Sequence, residues 1–450
     1  MKKILTSVGL VAIGAASAQA ATPLDRSYYA PNPALTSPER SKLWSVSASL
    51  RGFYDDNYFT SPSSYIDPAT GAVLKPRSSF GFEVSPRASL NAALEQTFIG
   101  LSYQYSLRWY ADRKTNSADH SHQADLNLNH SFSENLKLEA KDSFVLSQEP
   151  QLLDPSVVTA PLRRSNLDNL RNAADLSLHA DISRAFSTTF GYANTLYDYK
   201  QSGAGGYAAN LDRMEHLAKI DFRWNAQPNT IALIGYQYGL IDHTSKDSLL
   251  SFDPLKTLAM SDSKIRDNHS HYIFAGADQT FANQILASVR VGAQITEYPN
   301  ALAGSEKNST TPYADANLSY GYSKGGSVQL GVRHARNQTD VTYINLADQT
   351  ATLDQETTTI YASLTHQITA NLMGSLVGQV QDSTFNGGKD SNGTKYKQTD
   401  DLYMIGFSLN YKFNEYWGAE LGYNYDRLDS EINARGFTRN RVFIGLRASY

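Results

Sequence analysis

The chain has 450 residues, of which 41% are hydrophobic, and a formal net charge of -4. With no basic run and no cysteine, it is a poor candidate for nucleic-acid binding, a disulfide framework or thiolate chemistry. A mean hydropathy of -0.42 also excludes a bundle of membrane-spanning helices.

Residues 1–20 read as a cleaved secretory signal peptide. Lys2 and Lys3 precede a short apolar run from Ile4 to Ala16, and Ala18-Gln19-Ala20 offers a small-x-small cleavage site. The apolar run is too short to span a bilayer as a helix. Its removal leaves 38 basic against 44 acidic residues, a net charge of -6. Residues 21–42 contain four prolines and no periodicity, which fits a short periplasmic tail.

From Leu43 to Tyr450 the chain alternates with period two, the pattern of strands with one apolar and one polar face. Trp44, Val46, Ala48 and Leu50 oppose Ser45, Ser47, Ser49 and Arg51. Phe80, Phe82, Val84, Ala88 and Leu90 oppose Glu83, Ser85, Arg87 and Ser89. Ile99, Leu101, Tyr103, Tyr105, Leu107 and Trp109 oppose Gly100, Ser102, Gln104, Ser106 and Arg108. The pattern recurs in Ala124–Phe132, Leu136–Val145, Ala174–Ile182, Thr188–Tyr199, Ala218–Trp224, Ala232–Leu240 and Tyr272–Thr280. It continues in Ile285–Thr296, Ala314–Tyr322, Val328–Arg333, Thr358–Ile368, Leu372–Val380, Tyr403–Phe413, Trp417–Tyr425 and Val442–Tyr450. That is about eighteen strands, with sixteen as the nearest alternative. Short connections such as Ser133-Glu134-Asn135 and Thr369-Ala370-Asn371 alternate with long ones such as Ser147–Leu167 and Asn337–Asp354. The reading is an all-β, antiparallel, up-and-down transmembrane barrel, with short periplasmic turns and long extracellular loops.

Aromatics sort to the ends of these strands, as interfacial girdles require. Trp44, Phe98, Phe132, Trp224, Trp417 and Tyr450 fall at periplasmic ends; Tyr54, Phe80, Trp109, Tyr238 and Tyr298 fall at external ends. Two segments, Thr188–Tyr199 and Tyr272–Thr280, have both faces mixed and no assignable phase. Asp142 is in phase with Leu138, Ala140 and Phe144. It would face lipid unless a bulge re-aims it or the register differs.

With the apolar face outward, the inner wall carries Arg51, Arg87, Arg108, Lys137, Arg290, Arg333 and Arg447 against Glu83, Glu139, Asp315 and Glu420. Such mixed rows suit a hydrated lumen, although opposite charges also pair simply to keep a wall polar. A barrel this wide needs water, a folded-in loop or the N-terminal tail to fill it. In the third long loop, Glu149, Asp154, Arg163 and Arg164 are constriction candidates by charge and ordinal position. An ordinary surface loop fits them equally. His120-x-His122 and His269-x-His271 each put two imidazoles on one strand face, a spacing that can bind a metal; rim histidines are the commoner outcome. No nucleophile elbow, HExxH, P-loop or dinucleotide turn occurs, so neither an enzyme nor a cofactor is expected.

The last ten residues, RVFIGLRASY, form a strand that runs to a terminal aromatic. This resembles the C-terminal signal strand of bacterial outer-membrane barrels, and the whole mature chain resembles the outer-membrane β-barrel porins of Gram-negative bacteria. The resemblance implies passive diffusion of small hydrophilic solutes without chemistry or cofactor. It implies location in the outer membrane, contact with lipid and lipopolysaccharide, and a possible homo-trimer. The barrel-assembly machinery would read Gly445, Leu446, Ala448 and Tyr450. The alternatives are a dedicated channel, for one solute or for exopolysaccharide export, and a structural or adhesive barrel with a closed lumen.

Overall fold

The computed structural model describes residues 42–66, 73–114, 116–147, 168–252, 258–282, 284–389 and 394–450. Eighteen strands form one closed antiparallel sheet in chain order. They are β1 Trp44–Asp55, β2 Ser79–Ala93, β3 Thr97–Tyr110, β4 Ala118–Ser131, β5 Leu136–Ser147 and β6 Asn169–Asp181. Next come β7 Phe186–Tyr199, β8 Arg213–Gln227, β9 Thr230–His243, β10 Asn268–Phe281, β11 Ile285–Glu297 and β12 Asn308–Ser323. The last six are β13 Gly326–Asn337, β14 Asp354–Gln367, β15 Leu372–Asn386, β16 Thr399–Lys412, β17 Trp417–Ser430 and β18 Phe437–Ser449.

Closure is made by β1 against β18, in register from Ser47↔Ser449 to Asp55↔Arg441. Tyr450 extends the pairing: its N–H donates to the Val46 carbonyl at 2.8 Å, and the Val46 N–H returns to the Tyr450 carbonyl at 3.1 Å. The Tyr450 ring lies between Trp44 and Tyr416, at 5.4 and 6.2 Å between centroids. At the usual strand spacing and tilt, eighteen strands give a circumference of ~110 Å and a diameter of ~35 Å.

The burial pattern is that of a globular protein turned inside out. Leu50, Ile234, Ile360 and Ile444 are strongly exposed on the outer wall, while Gln237 and Arg290 are almost fully buried inside. All four tryptophans stand outward at strand ends. Two aromatics depart from the sequence reading. Tyr298 is buried, with its hydroxyl on Asp354 rather than in the external girdle. Phe98 falls on the lumen side of β3, in phase with Gly100 and Ser102 and opposite Asn129.

Several periplasmic turns share one local device. The side-chain oxygens of Ser183, Thr369 and Asn414 each accept backbone N–H groups two and three residues on, while Ser133 accepts from Asn135. Short polar side chains thereby supply what a turn lacks in backbone bonds. Between β12 and β13 the two-residue turn Lys324-Gly325 needs a positive φ, 78° at Gly325, which glycine adopts without strain.

The outward phase of β18 gives a direct test. Leu446 lies outward between Leu50 and Ala419, whereas Ser449 faces the lumen opposite Ser47. Leu446→Arg is expected to destabilise the barrel by ~2 kcal/mol or more, and Ser449→Arg by much less. Urea unfolding in lipid vesicles reads the difference, and equal losses would refute the phase.

The lumen and its extracellular mouth

The inner wall divides into three arcs. The first spans the closure seam. Arg51 on β1 reaches across β18 to Glu420 on β17, with Nη2 at 2.9 Å, and its Nη1 lies 3.3 Å from Glu83 on β2. Arg108 on β3 donates from Nε to the other Glu83 oxygen at 2.8 Å. Gly445 makes the crossing possible, because a Cβ there would meet Arg51 at 2.8 Å and Glu420 at 3.0 Å. Nearer the mouth, Arg439 grips Asp55 from Nε and Nη2, at 3.1 and 2.5 Å, with both side chains buried. Arg87 lies in the same arc and donates to Ser102 at 3.0 Å. Arg447 lies there too, in register with Ser49.

The second arc covers the opposite wall. Lys219 on β8 pairs with Asp175 on β6 at 2.7 Å. Asp278 on β10 takes Arg223 and Arg290 on its two oxygens, at 2.6 and 2.7 Å. Arg290, Asp315 and Arg333 stand side by side in register on β11, β12 and β13. Lys137 and Glu139 lie at the periplasmic end of β5, where Glu139 pairs with Lys141 at 2.8 Å. The third arc, β14 to β16, carries charge on its lumen side only at the two ends of β16, Asp400 and Lys412, with polar neutral groups between. Thr359, Tyr361 and Ser363 on β14 are followed by Ser375, Gln379 and Gln381 on β15, then Ser408 and Asn410 on β16.

The proposed constriction residues Glu149, Asp154, Arg163 and Arg164 lie outside the described residues. A different loop occupies the mouth. Residues 338–353, between β13 and β14, carry a small hairpin, Ile344–Asn345 with Thr350–Ala351. Ile344, Asn345, Thr350, Ala351, Thr352 and Leu353 are almost wholly buried. Loops from around the barrel hold this segment. Thr342 bonds Asn210 of the β7–β8 loop. Ile344 N–H donates to Ser251 of the β9–β10 loop at 2.8 Å. Ala351 N–H donates to Ser305 of the β11–β12 loop at 3.1 Å. Tyr343 stacks on Tyr396 of the β15–β16 loop at 4.4 Å. Asp340 takes both Nη atoms of Arg435 from the β17–β18 loop at 2.8 Å. The β7–β8 and β17–β18 connections stand on opposite sides of the ring, so a segment touching both crosses the mouth.

Two buried arginines clamp this bar. Arg266 donates to the carbonyls of Thr352, Thr339 and Val341, at 3.0, 3.1 and 2.6 Å, and to the Thr342 hydroxyl at 3.1 Å. Burial lowers its pKa to about 10, so it remains a cation at neutral pH. For Arg435 burial also works against the charge, but Asp340 and Asp400 outweigh it and raise the pKa. The apolar filling comes from Leu249, Ala259, Ile265, Ile344 and Ala351.

One anchor of this cap titrates near neutrality. Burial, with Asp198 and Asp247 nearby, raises the Asp212 carboxyl to about 7, against the Tyr199 N–H that donates to it at 2.7 Å. The folded state therefore holds this proton more tightly than the unfolded chain. Its stabilisation is complete below about pH 4, declines between there and about pH 7, and is flat above. Hydrogen exchange at the Tyr199 amide should quicken over that window once the intrinsic rate is removed. Asp212→Asn should abolish that slope.

The histidine pairs face outward near the external end and engage their neighbours. His122 bonds Tyr103, His120 bonds Tyr105 and His271 bonds Tyr236, each at 2.8 Å, while His269 meets Glu297 at 2.9 Å. Among the described residues no group of three or more His, Asp or Glu is placed to hold a metal ion.

A family model described as "Putative beta-barrel porin 2" matches residues 45–450, every strand of the barrel. The chain belongs to that family. This porin-family chain is also similar in fold to several solved structures. The outer membrane protein OpdK of Pseudomonas aeruginosa is 10% identical, with 90% of this chain and 99% of that one covered and a TM-score of 0.41. OccAB4 of Acinetobacter baumannii is 11% identical, with 91% and 99% covered and a TM-score of 0.40. The siderophore receptor PirA of P. aeruginosa is 7% identical, with 90% and 80% covered and a TM-score of 0.40. No curated protein sequence matches the chain.

Sequence reasoning put Arg51, Glu83, Arg108 and Glu420 on the inner wall with no sign that they join. It missed Asp278, because Tyr272 and Phe274 point into the lumen and blur the phase of β10. Arg439 precedes the strand read from the sequence as Val442–Tyr450, but it belongs to β18.

Proposed function

We propose that this outer-membrane barrel is a porin for passive diffusion of small hydrophilic solutes. The inner wall carries the reading: two charged arcs flank one whose middle is hydroxyls and amides, with charge only at its ends, a surface that wets readily and binds no single solute tightly. The bar of residues 338–353 restricts entry from outside. Export through the cleaved segment 1–20 and insertion by the barrel-assembly machinery, reading Gly445, Leu446, Ala448 and Tyr450, complete the proposal. Transport of this kind uses no cofactor and makes no bond.

The interlocked loops support a second reading, a barrel closed to solutes whose outer surface does the work. Single-channel recording of the refolded mature chain in a planar bilayer separates the two. Steady steps with weak selectivity are expected of the porin. Silence from a folded, heat-modifiable barrel would overturn it in favour of the closed surface protein.

A further inference from the structure

Asp142 stands on the outer wall, and no bulge re-aims it. The register from β4 through β5 to β6 is continuous, with Asp142 between Leu126 and Ala174. It is the fourth of six outward positions on β5, after Leu136, Leu138 and Ala140 and before Phe144 and Leu146. A charged side chain here lies inside the apolar belt, where lipid solvates it poorly. Its carboxylate has one partner on that face: Asn172 Nδ2, at 3.0 and 3.3 Å from its two oxygens. One amide does not replace the water that a carboxylate gives up.

The wall around Asp142 is unlike the rest of the barrel. Among the described residues, β5 is the one strand with no strongly exposed large apolar side chain. Beside Leu126 and Phe144, the outward neighbours of Asp142 include three alanines: Ala140 on the same strand, Ala124 on β4 and Ala174 on β6. A shallow hollow of about 480 Å³ opens beside it, its outer face lined by Leu90, Leu101, Tyr103 and Leu126 around Ala88, Ala124 and Asp142. Lipid chains have no need of a hollow with a carboxylate in it, whereas small residues such as Ala124, Ala140 and Ala174 allow two membrane-spanning walls to approach closely.

We propose that this face, centred on β4 to β6, is where a second copy of the chain docks. The patch is complementary to itself. Asp142 is an acceptor, while Asn172 carries a second amide hydrogen and the hydrogen-bonded Tyr103–His122 pair offers further polar atoms. Two copies facing each other bring the carboxylate of one against the donors of the other, the self-matching that an isologous contact requires. Five strands, each ~5 Å wide and ~25 Å tall within the apolar belt, present roughly 600 Å² per copy. That is close to the ~800 Å² per partner of a standard stable interface.

The absence of cysteine from the chain makes the test clean. Single variants Ala140→Cys and Ala174→Cys are oxidised in native outer membranes and run on denaturing gels. A disulfide-linked species of twice the monomer mass is expected from at least one of them. Ile360→Cys, exposed on the opposite wall, should give none. Adding Asp142→Leu should cut the crosslinked fraction several-fold while the barrel stays heat-modifiable. The proposal is overturned by monomers only from both folded patch variants, by equal crosslinking from Ile360→Cys, by crosslinks only to a different protein, or by a crosslinked fraction indifferent to Asp142→Leu.

Discussion

Replacing residues 341–351 with a short Gly-Ser linker should raise the single-channel conductance of the barrel several-fold. The segment is the one described element that touches loops from opposite sides of the mouth. Arg266→Ala should act in the same direction by a subtler route. It removes a buried cation whose hydrogen bonds hold three carbonyls and one hydroxyl of the bar. A clamp of this kind contributes ~3 kcal/mol, or about two decades in the population of a displaced bar. Arg266→Ala channels should therefore flicker to a larger conductance that the wild type visits rarely. If both variants fold and conduct as the wild type does, the restriction lies elsewhere, and Glu149, Asp154, Arg163 and Arg164 become the next residues to change.

The second large effect is expected at the seam. Arg439→Met should cost ~3–5 kcal/mol in unfolding free energy, because it leaves Asp55 buried and without its guanidinium. Asp55→Leu combined with Arg439→Met should recover most of that loss, since an apolar pair of similar size removes the stranded charge. A double-mutant cycle in urea, read by tryptophan fluorescence in vesicles, gives the coupling. Additive losses would mean that the two side chains do not act as a pair. By contrast Arg87, hydrogen-bonded to Ser102 on a partly exposed wall, should be nearly neutral on replacement by Gln.

Much of the fold was legible because a membrane barrel writes itself in period two. The outer medium demands apolar groups at alternate positions all round the ring, and a strand such as β1 carries little else. The reading weakened wherever the lumen itself is apolar. Phe53, Tyr110 and Phe443 pack together inside, and Phe274 packs against Tyr313. Each breaks the rule that inward means polar, and β10 lost its phase for that reason. Asp142 failed in the opposite sense, as a charge on a face where the pattern allows none. The charged inner wall could be listed from the alternation, but its pairings could not. Arg51 meets Glu420 across a sequence separation of 369 residues, and periodicity holds no information about ring closure. The bar of residues 338–353 was hidden for a different reason. Its contacts lie between loops, where polar side chains and backbone groups find partners without any repeating spacing.

Order of events follows from the seam. Asp55 and Arg439 are 384 residues apart, and bringing ends so distant together carries an entropic cost of about 5 kcal/mol on the simplest polymer estimate. Every other neighbouring pair of strands is local by comparison, so hairpins can form early and the ring must close late. A chain stopped short of β18 could zip up seventeen strands and would still present two raw edges. Closure thus waits on the last strand to be made, and a chain that lacks it keeps the hydrogen-bonding edge of β1 without its partner.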